Sequence, residues 1–178
     1  MIYFLSNTVH QHHLNLILYF IVLQEMAPII YTPTVGKACL EYSHIYPFLA
    51  PPGVPDGLYI TKDSLPNLPQ ILRDYSAALS DQAAFQPEIT VISDGSRILG
   101  LGDLGMNGMA IPIGKLQLYV AGAGIDPRKT LPILLDLGTN NDSLLNDEFY
   151  LGVKQTRPKD DEVEYILESL IDLVGSDL

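Results

Sequence analysis

Apolar positions recur along this 178-residue chain with helical spacing in some stretches and as short β-branched runs in others, and the changes between them predict the elements. Leu14 to Leu23 (Leu-Asn-Leu-Ile-Leu-Tyr-Phe-Ile-Val-Leu) reads as a buried helix, since it is too short to cross a hydrocarbon core that needs about 20 residues. Pro28-Ile-Ile-Tyr31 reads as a short strand-like segment. Thr32 then serves as N-cap and Pro33 as first residue of a helix reaching about Ile45. Pro51-Pro52-Gly53 forces a loop. Asp63-Ser64 caps a second helix through Leu79, with Leu68, Ile71, Leu72, Tyr75, Ala78 and Leu79 on one face. Ile89-Thr-Val-Ile92 is a strand ending at the turn Ser93-Asp94-Gly95, and Leu131 to Leu137 is a second strand ending at Gly138. Between them lie a loop with Gly100, Gly102, Gly105 and Gly108 and a helix from Pro112 to Ala123. Further helices are predicted over Asn140 to Leu145 and Asp161 to Val174. The order strand, loop, helix, strand predicts a βαβ-type connection. The fold class is α/β: a helix-rich N-terminal part plus a small, largely parallel sheet, without internal repeat.

Composition narrows the function classes. With 47% hydrophobic and 17% charged residues the chain is no disordered acidic tail, and its length suits one domain with a real core. A net charge of -11 and a pI near 4.5 leave no basic stripe for phosphates, so neither nucleic acid nor an anionic membrane is an expected partner. The single cysteine, Cys39, cannot form an internal disulfide; it reads as a small buried apolar residue in a reducing compartment. His10, His12 and His13 lack a carboxylate or cysteine at ligand spacing and read as surface residues. No Lys or Arg precedes the first apolar run, which supports neither a signal nor a transit peptide.

Gly100-Leu-Gly102-Asp-Leu-Gly105 matches the dinucleotide fingerprint and follows a strand, and Asp136 ends the next strand, where a ribose-binding acid is expected. Two details oppose that reading. Ser93 to Leu99 intervene before the loop, and the predicted helix starts well beyond the third glycine, whereas the fingerprint glycines belong to the strand-to-helix turn itself. An independent NAD-binding module therefore stands only as a minor alternative. Asp94, Asp103, Asp136 and Asp142 are scattered over loops and read as caps and turns, so no metal site is expected in this chain.

Four motifs occur together and in order: Tyr31-Thr-Pro-Thr-Val-Gly36, Ser93-Asp-Gly-Ser-Arg-Ile-Leu-Gly-Leu-Gly-Asp-Leu-Gly105, Ile111-Pro-Ile-Gly-Lys-Leu116 and Leu135-Asp-Leu-Gly-Thr-Asn-Asn141. Together they resemble the N-terminal, malate-binding domain of malic enzyme over about Glu25 to Tyr165. The resemblance divides the chain into a divergent apolar helix over 1–24 and the malate-binding domain over 25–178. It implies oxidation of malate with NAD or NADP and a divalent metal, Mg2+ or Mn2+, followed by decarboxylation to pyruvate and CO2. It also assigns the glycine loop to the malate-binding domain and the dinucleotide to a later Rossmann domain. Carried over by position, it makes Tyr31 the general acid that protonates enolpyruvate, Lys115 the general base for the malate hydroxyl, and Arg97 the clamp on the substrate carboxylate, with a cofactor contact as its second potential role.

Physical chemistry is consistent with these roles. Tyr31 precedes a helix whose positive end favours a phenolate, Lys115 in the first turn of its helix is disfavoured as an ammonium, and the Arg97 fork matches a carboxylate. Taken without the resemblance, the same three residues read as a capping or core tyrosine, a solvated lysine and a surface arginine.

The sequence ends at Leu178, before the segment in which the family places its metal-binding acids and its NAD(P)-binding domain, so the resemblance implies that this polypeptide alone is inactive. The first 24 residues depart from the pattern, and Ser96 stands where a glutamate is common. Two readings follow: part of a decarboxylating malate dehydrogenase that is a homo-oligomer when full length, or a truncated non-catalytic protein that binds dicarboxylate or pairs with full-length subunits. Cytoplasm and mitochondrial matrix both remain open.

Overall fold

The structure, a computed structural model, describes residues 22–49, 56–79 and 87–177. His10, His12, His13, most of the first apolar run and Pro51-Pro52-Gly53 lie outside them. The described part of the N-terminal region is helical: α1 covers 22–30, α2 Thr34–Leu40 and α3 Tyr42–Ile45, followed by a 3-10 turn Tyr46–Phe48. The strand-like reading of Pro28 to Tyr31 is thus corrected. Pro28 to Ile30 finish α1, and the Tyr31 amide donates to the Ala27 carbonyl at 3.0 Å. Thr32 is not the cap either; Pro33 is, without a side-chain bond, while the Thr34 hydroxyl donates back to the Pro28 carbonyl at 2.7 Å. The helix predicted to reach Ile45 breaks at Glu41, whose φ of -114° and ψ of 11° are not helical.

Strand β1, Leu58–Thr61, has no counterpart in the sequence-based expectation. A 3-10 segment Lys62–Asn67 follows and runs into α4, Leu68–Leu79. Its start is a reciprocal capping box of Thr61 and Ser64 rather than an Asp63-Ser64 cap, with the Thr61 amide donating to the Ser64 hydroxyl at 2.8 Å. Strands β2, Ile89–Ser93, and β3, Thr130–Asp136, lie where the β-branched and leucine-rich runs place them. Between them is α5, Ala110–Ala123, which begins two residues before Pro112 and directly continues a 3-10 turn Gly105–Met109. Helices α6, Asp142–Leu145, and α7, Asp160–Asp177, complete the chain. Asn141 caps α6 by accepting the Ser143 amide at 3.0 Å, and Asp160, Asp161 and Glu162 complement the positive end of α7.

The sheet order is β1-β3-β2 and both pairings are parallel, with Leu58 opposite Ile133 and Ile89 opposite Thr130. This is the predicted α/β class and βαβ connection. Side chains alternate across β3. Leu131, Ile133 and Leu135 enter one apolar cluster with Leu58, Ile60, α4 and α7; Leu134 enters another with α2, α3, the 3-10 turn and α5. Cys39 is fully buried in the second cluster, as expected, and burial pushes its thiol up to about 11 despite an opposing hydrogen bond from the Ile111 backbone.

Candidate active site

Tyr31 occupies the bend between α1 and α2, where its carbonyl accepts the Val35 amide at 2.6 Å. Its ring lies against the backbone of α5 at Gly114. A Cβ on Gly114 would sit 2.8 Å from Cδ2 of Tyr31 and 2.9 Å from Cγ2 of Val35, so the position admits no larger residue without displacing the ring. The next residue, Lys115, carries its Nζ over the same ring, 6.0 Å from the centroid. Tyr31 is half-buried and Lys115 exposed, so the amine stands over the tyrosine ring at a site open to solvent on the lysine side.

Lys115 does not lie in the first turn of its helix. The residue is sixth in α5, behind a further 3-10 turn, and a helix-end field falls off within the first turn. Its placement beside Tyr31 comes from the close approach at Gly114 instead. The glycine loop is corrected too. Where Gly100 and Gly102 would carry a Cβ there is open space, and their φ values of +77° and +81° show that both serve turns rather than ligand approach. The Gly102 amide donates to the Ile98 carbonyl at 2.8 Å and the Gly105 amide to Asp103 Oδ1 at 3.0 Å. With two fingerprint amides engaged and a 3-10 turn before the helix, the loop lacks the strand-turn-helix form that cradles a pyrophosphate. Asp136, the would-be ribose acid, is buried and accepts the amides of Gly138 at 3.0 Å and Val153 at 2.8 Å.

Arg97 lies on this loop, exposed, with no ion pair or hydrogen bond among the described residues. Its neighbours Ile98 and Leu101 pack against the cluster that also contacts Tyr31. The structure therefore brings Tyr31 and Lys115 together and builds the Arg97 loop on the same cluster, but no bond joins the Arg97 guanidinium to either.

The aspartates behave as turn and cap residues, and two of them do more. Asp94 Oδ1 accepts the Ser96 amide and hydroxyl at 3.0 and 2.8 Å, and Asp142 opens α6. Asp94 and Asp103 also share Arg157, a residue that the sequence reading passed over. Burial pushes the Asp103 carboxyl up, but the Arg157 fork and the Asn140 amide outweigh it and hold the group below its ordinary 3.8. Among the described residues no three His, Cys, Asp or Glu side chains converge on a point that could hold a metal ion. The glycine loop offers no seat for a dinucleotide.

The description "Malic enzyme, N-terminal domain" matches residues 10–177. Similar proteins include NAD-dependent malic enzyme 2, mitochondrial, of Arabidopsis thaliana (44% identity over 90% of this chain and 25% of the relative). NADP-dependent malic enzyme, chloroplastic, of Zea mays is 43% identical over 84% of this chain and 22% of the relative. NADP-dependent malic enzyme of Dictyostelium discoideum is 44% identical over 84% and 25%. The chain thus spans about a quarter of the length of these relatives, whose names carry both cofactors and two organelles. Among the described residues no helix is long and apolar enough to cross a membrane. On the match over nearly its whole length, the chain belongs to the malic enzyme family, to which it contributes the N-terminal domain.

Proposed function

We propose that this chain supplies the malate-binding and proton-handling part of an NAD(P)-dependent decarboxylating malate dehydrogenase, and that Tyr31, Lys115 and Arg97 carry it. The supporting observation is the juxtaposition of Lys115 Nζ and the Tyr31 ring across Gly114. In this reading Arg97 holds a malate carboxylate in its fork. Lys115, as the neutral amine, accepts the proton of the C2 hydroxyl as that carbon is oxidised. Loss of CO2 from the resulting oxaloacetate leaves enolpyruvate, and the Tyr31 hydroxyl delivers a proton to its C3, giving pyruvate. Lys115 has then gained one proton and Tyr31 has lost one, and return of that proton from the first to the second restores both groups. NAD or NADP would be the oxidant of this chemistry and Mg2+ or Mn2+ its Lewis acid; among the described residues no group of three His, Cys, Asp or Glu side chains is placed to hold the metal.

Pyruvate formation from L-malate by the intact natural polypeptide tests the assignment. Tyr31→Phe keeps the ring against Gly114, and Lys115→Ala changes an exposed side chain, so both variants keep the fold. Each is expected to lower kcat by about 10²-fold or more. Retention of wild-type kcat in either one removes that residue from its role.

A further inference from the structure

Arg157 lies in the irregular segment before α7, and its side chain is only 7% exposed. Nε and Nη2 form a fork on Asp103, at 3.0 Å to Oδ2 and 2.9 Å to Oδ1. Nη1 reaches Asp94 Oδ2 at 3.3 Å, Nη2 the Asp94 carbonyl at 2.8 Å, and the Arg157 amide donates to Asn140 Oδ1 at 3.1 Å. Leaving such a buried cation unpaired costs several kcal/mol, and a lysine cannot reproduce a planar fork that serves two carboxylates.

What this cation holds is the base of a loop. Asp94 and Asp103 stand at its two ends, the Leu104 amide donates to the Gly95 carbonyl at 2.9 Å, and an antiparallel bridge of Ile98 and Gly102 closes the tip. Arg97 leads into that tip and Leu99, 99% exposed, stands on it, while Ile98 and Leu101 pack against the cluster beneath. The exposed Arg97 side chain has no burial of its own to fix it, so its position depends on that packing together with the anchored base. Arg157 thereby engages both carboxylates that flank Arg97 in sequence.

We infer that Arg157 is a positioning residue for substrate binding: by clamping Asp94 and Asp103 together it fixes where Arg97 presents its fork to a dicarboxylate. The inference rests on the reading of Arg97 as the carboxylate clamp. Its test is steady-state kinetics of L-malate turnover by the intact natural polypeptide, with hydrogen exchange at the Ile98 and Gly102 amides. Arg157→Lys retains the charge but loses the fork; Asp94→Asn retains the Asp103 fork and serves if Arg157→Lys fails to fold. Either variant should raise the KM for malate, Arg157→Lys by about tenfold, with kcat within about twofold and faster exchange confined to the loop. Arg97→Lys should raise KM at least as much. If Arg97→Lys raises KM and the other two variants do not, Arg157 merely supports the fold and the inference is overturned while the clamp stands. If Arg97→Lys leaves KM unchanged, or the polypeptide turns over no malate, the clamp reading fails and takes the inference with it.

Discussion

The two faces of β3 are built on different principles. Toward α4 and α7, Leu131, Ile133 and Leu135 meet Leu58, Ile60, Leu68, Leu72, Ile166 and Leu170, so the buried members are all aliphatic, with Tyr75 packed at their margin. Toward α2, α3 and α5, Leu134 meets Tyr42, Met106, Met109 and Tyr150, and buried polar groups are threaded between them. The Ser43 hydroxyl donates to Asn107 Oδ1 at 2.5 Å and accepts the Leu151 amide at 3.1 Å, while Tyr42 and Tyr59 both bond Asp56. Burial raises the Tyr42 and Tyr59 hydroxyls far above the ordinary phenol value, and the Tyr150 hydroxyl, which accepts the Met106 amide, is pushed up to about 12. An aliphatic face contributes area, at about 1.5–3 kcal/mol for each large side chain buried, and tolerates changes of shape. A face held by directional bonds fixes atoms in place, and it is on this side that Tyr31, Lys115 and the Arg97 loop are mounted.

That contrast can be broken. Leu135→Ala on the aliphatic face should cost about 2–5 kcal/mol of unfolding free energy in urea while the KM for malate stays put; a KM shift at full occupancy of the fold would show that the faces are coupled. A sharper probe lies within one helix. Gly114→Ala and Gly122→Ala both add a methyl to α5, but the first meets the Tyr31 ring at 2.8 Å and the second meets nothing within 4 Å. Gly122→Ala should therefore raise stability by about 0.5–1 kcal/mol through helix propensity and leave kcat alone, whereas Gly114→Ala should lose that gain to the clash and lower kcat by displacing Tyr31. Equal effects of the two substitutions would refute a site dependent on close approach.

The smallest expected effect concerns the rim of the bonded side. His44 Nδ1 lies 3.0 Å from Glu41 Oε2 and Nε2 lies 3.1 Å from Asp147 Oδ2, and the bonds to Glu41 and then Asp147 raise its pKa above 6.5. A folded-state pKa above the unfolded one gives stability that is fully present below about 6.5 and is lost as pH rises through the raised value. Between about pH 6 and pH 8 the wild type should lose slightly more Tm than His44→Gln, and parallel Tm curves would remove the histidine from the balance.

The sequence showed the aliphatic side far better than the bonded one. Strand-forming runs at Ile89 and Leu131 and the helical spacing from Leu68 announce themselves locally, and β2, β3 and α4 followed. Strand β1 did not, because four residues after a proline-rich stretch of sequence carry little pattern of their own and become a strand by pairing with β3. Pro28 to Tyr31 looked extended from its β-branched pair and proline, yet tertiary context completes α1 there. At the site, motif order drew attention to Tyr31, Lys115 and Arg97. Arg157 stayed invisible because the two carboxylates its side chain holds lie more than fifty positions away, and a lone arginine in a loop has no local signature. Gly114 was visible only as a letter beside Lys115; the ring it admits belongs to a distant helix junction.

Cys39 carries a practical consequence. The chain has one thiol, fully buried and raised to about 11, so at neutral pH it is neither reachable nor ionised. Any cysteine introduced at the surface would therefore be the sole target of a thiol reagent without first editing the native one. Leu99, at the tip of the loop anchored by Arg157, is an open place to put it. A fluorophore or spin label there would report the motion of that loop directly, with no other reactive thiol among these 178 residues.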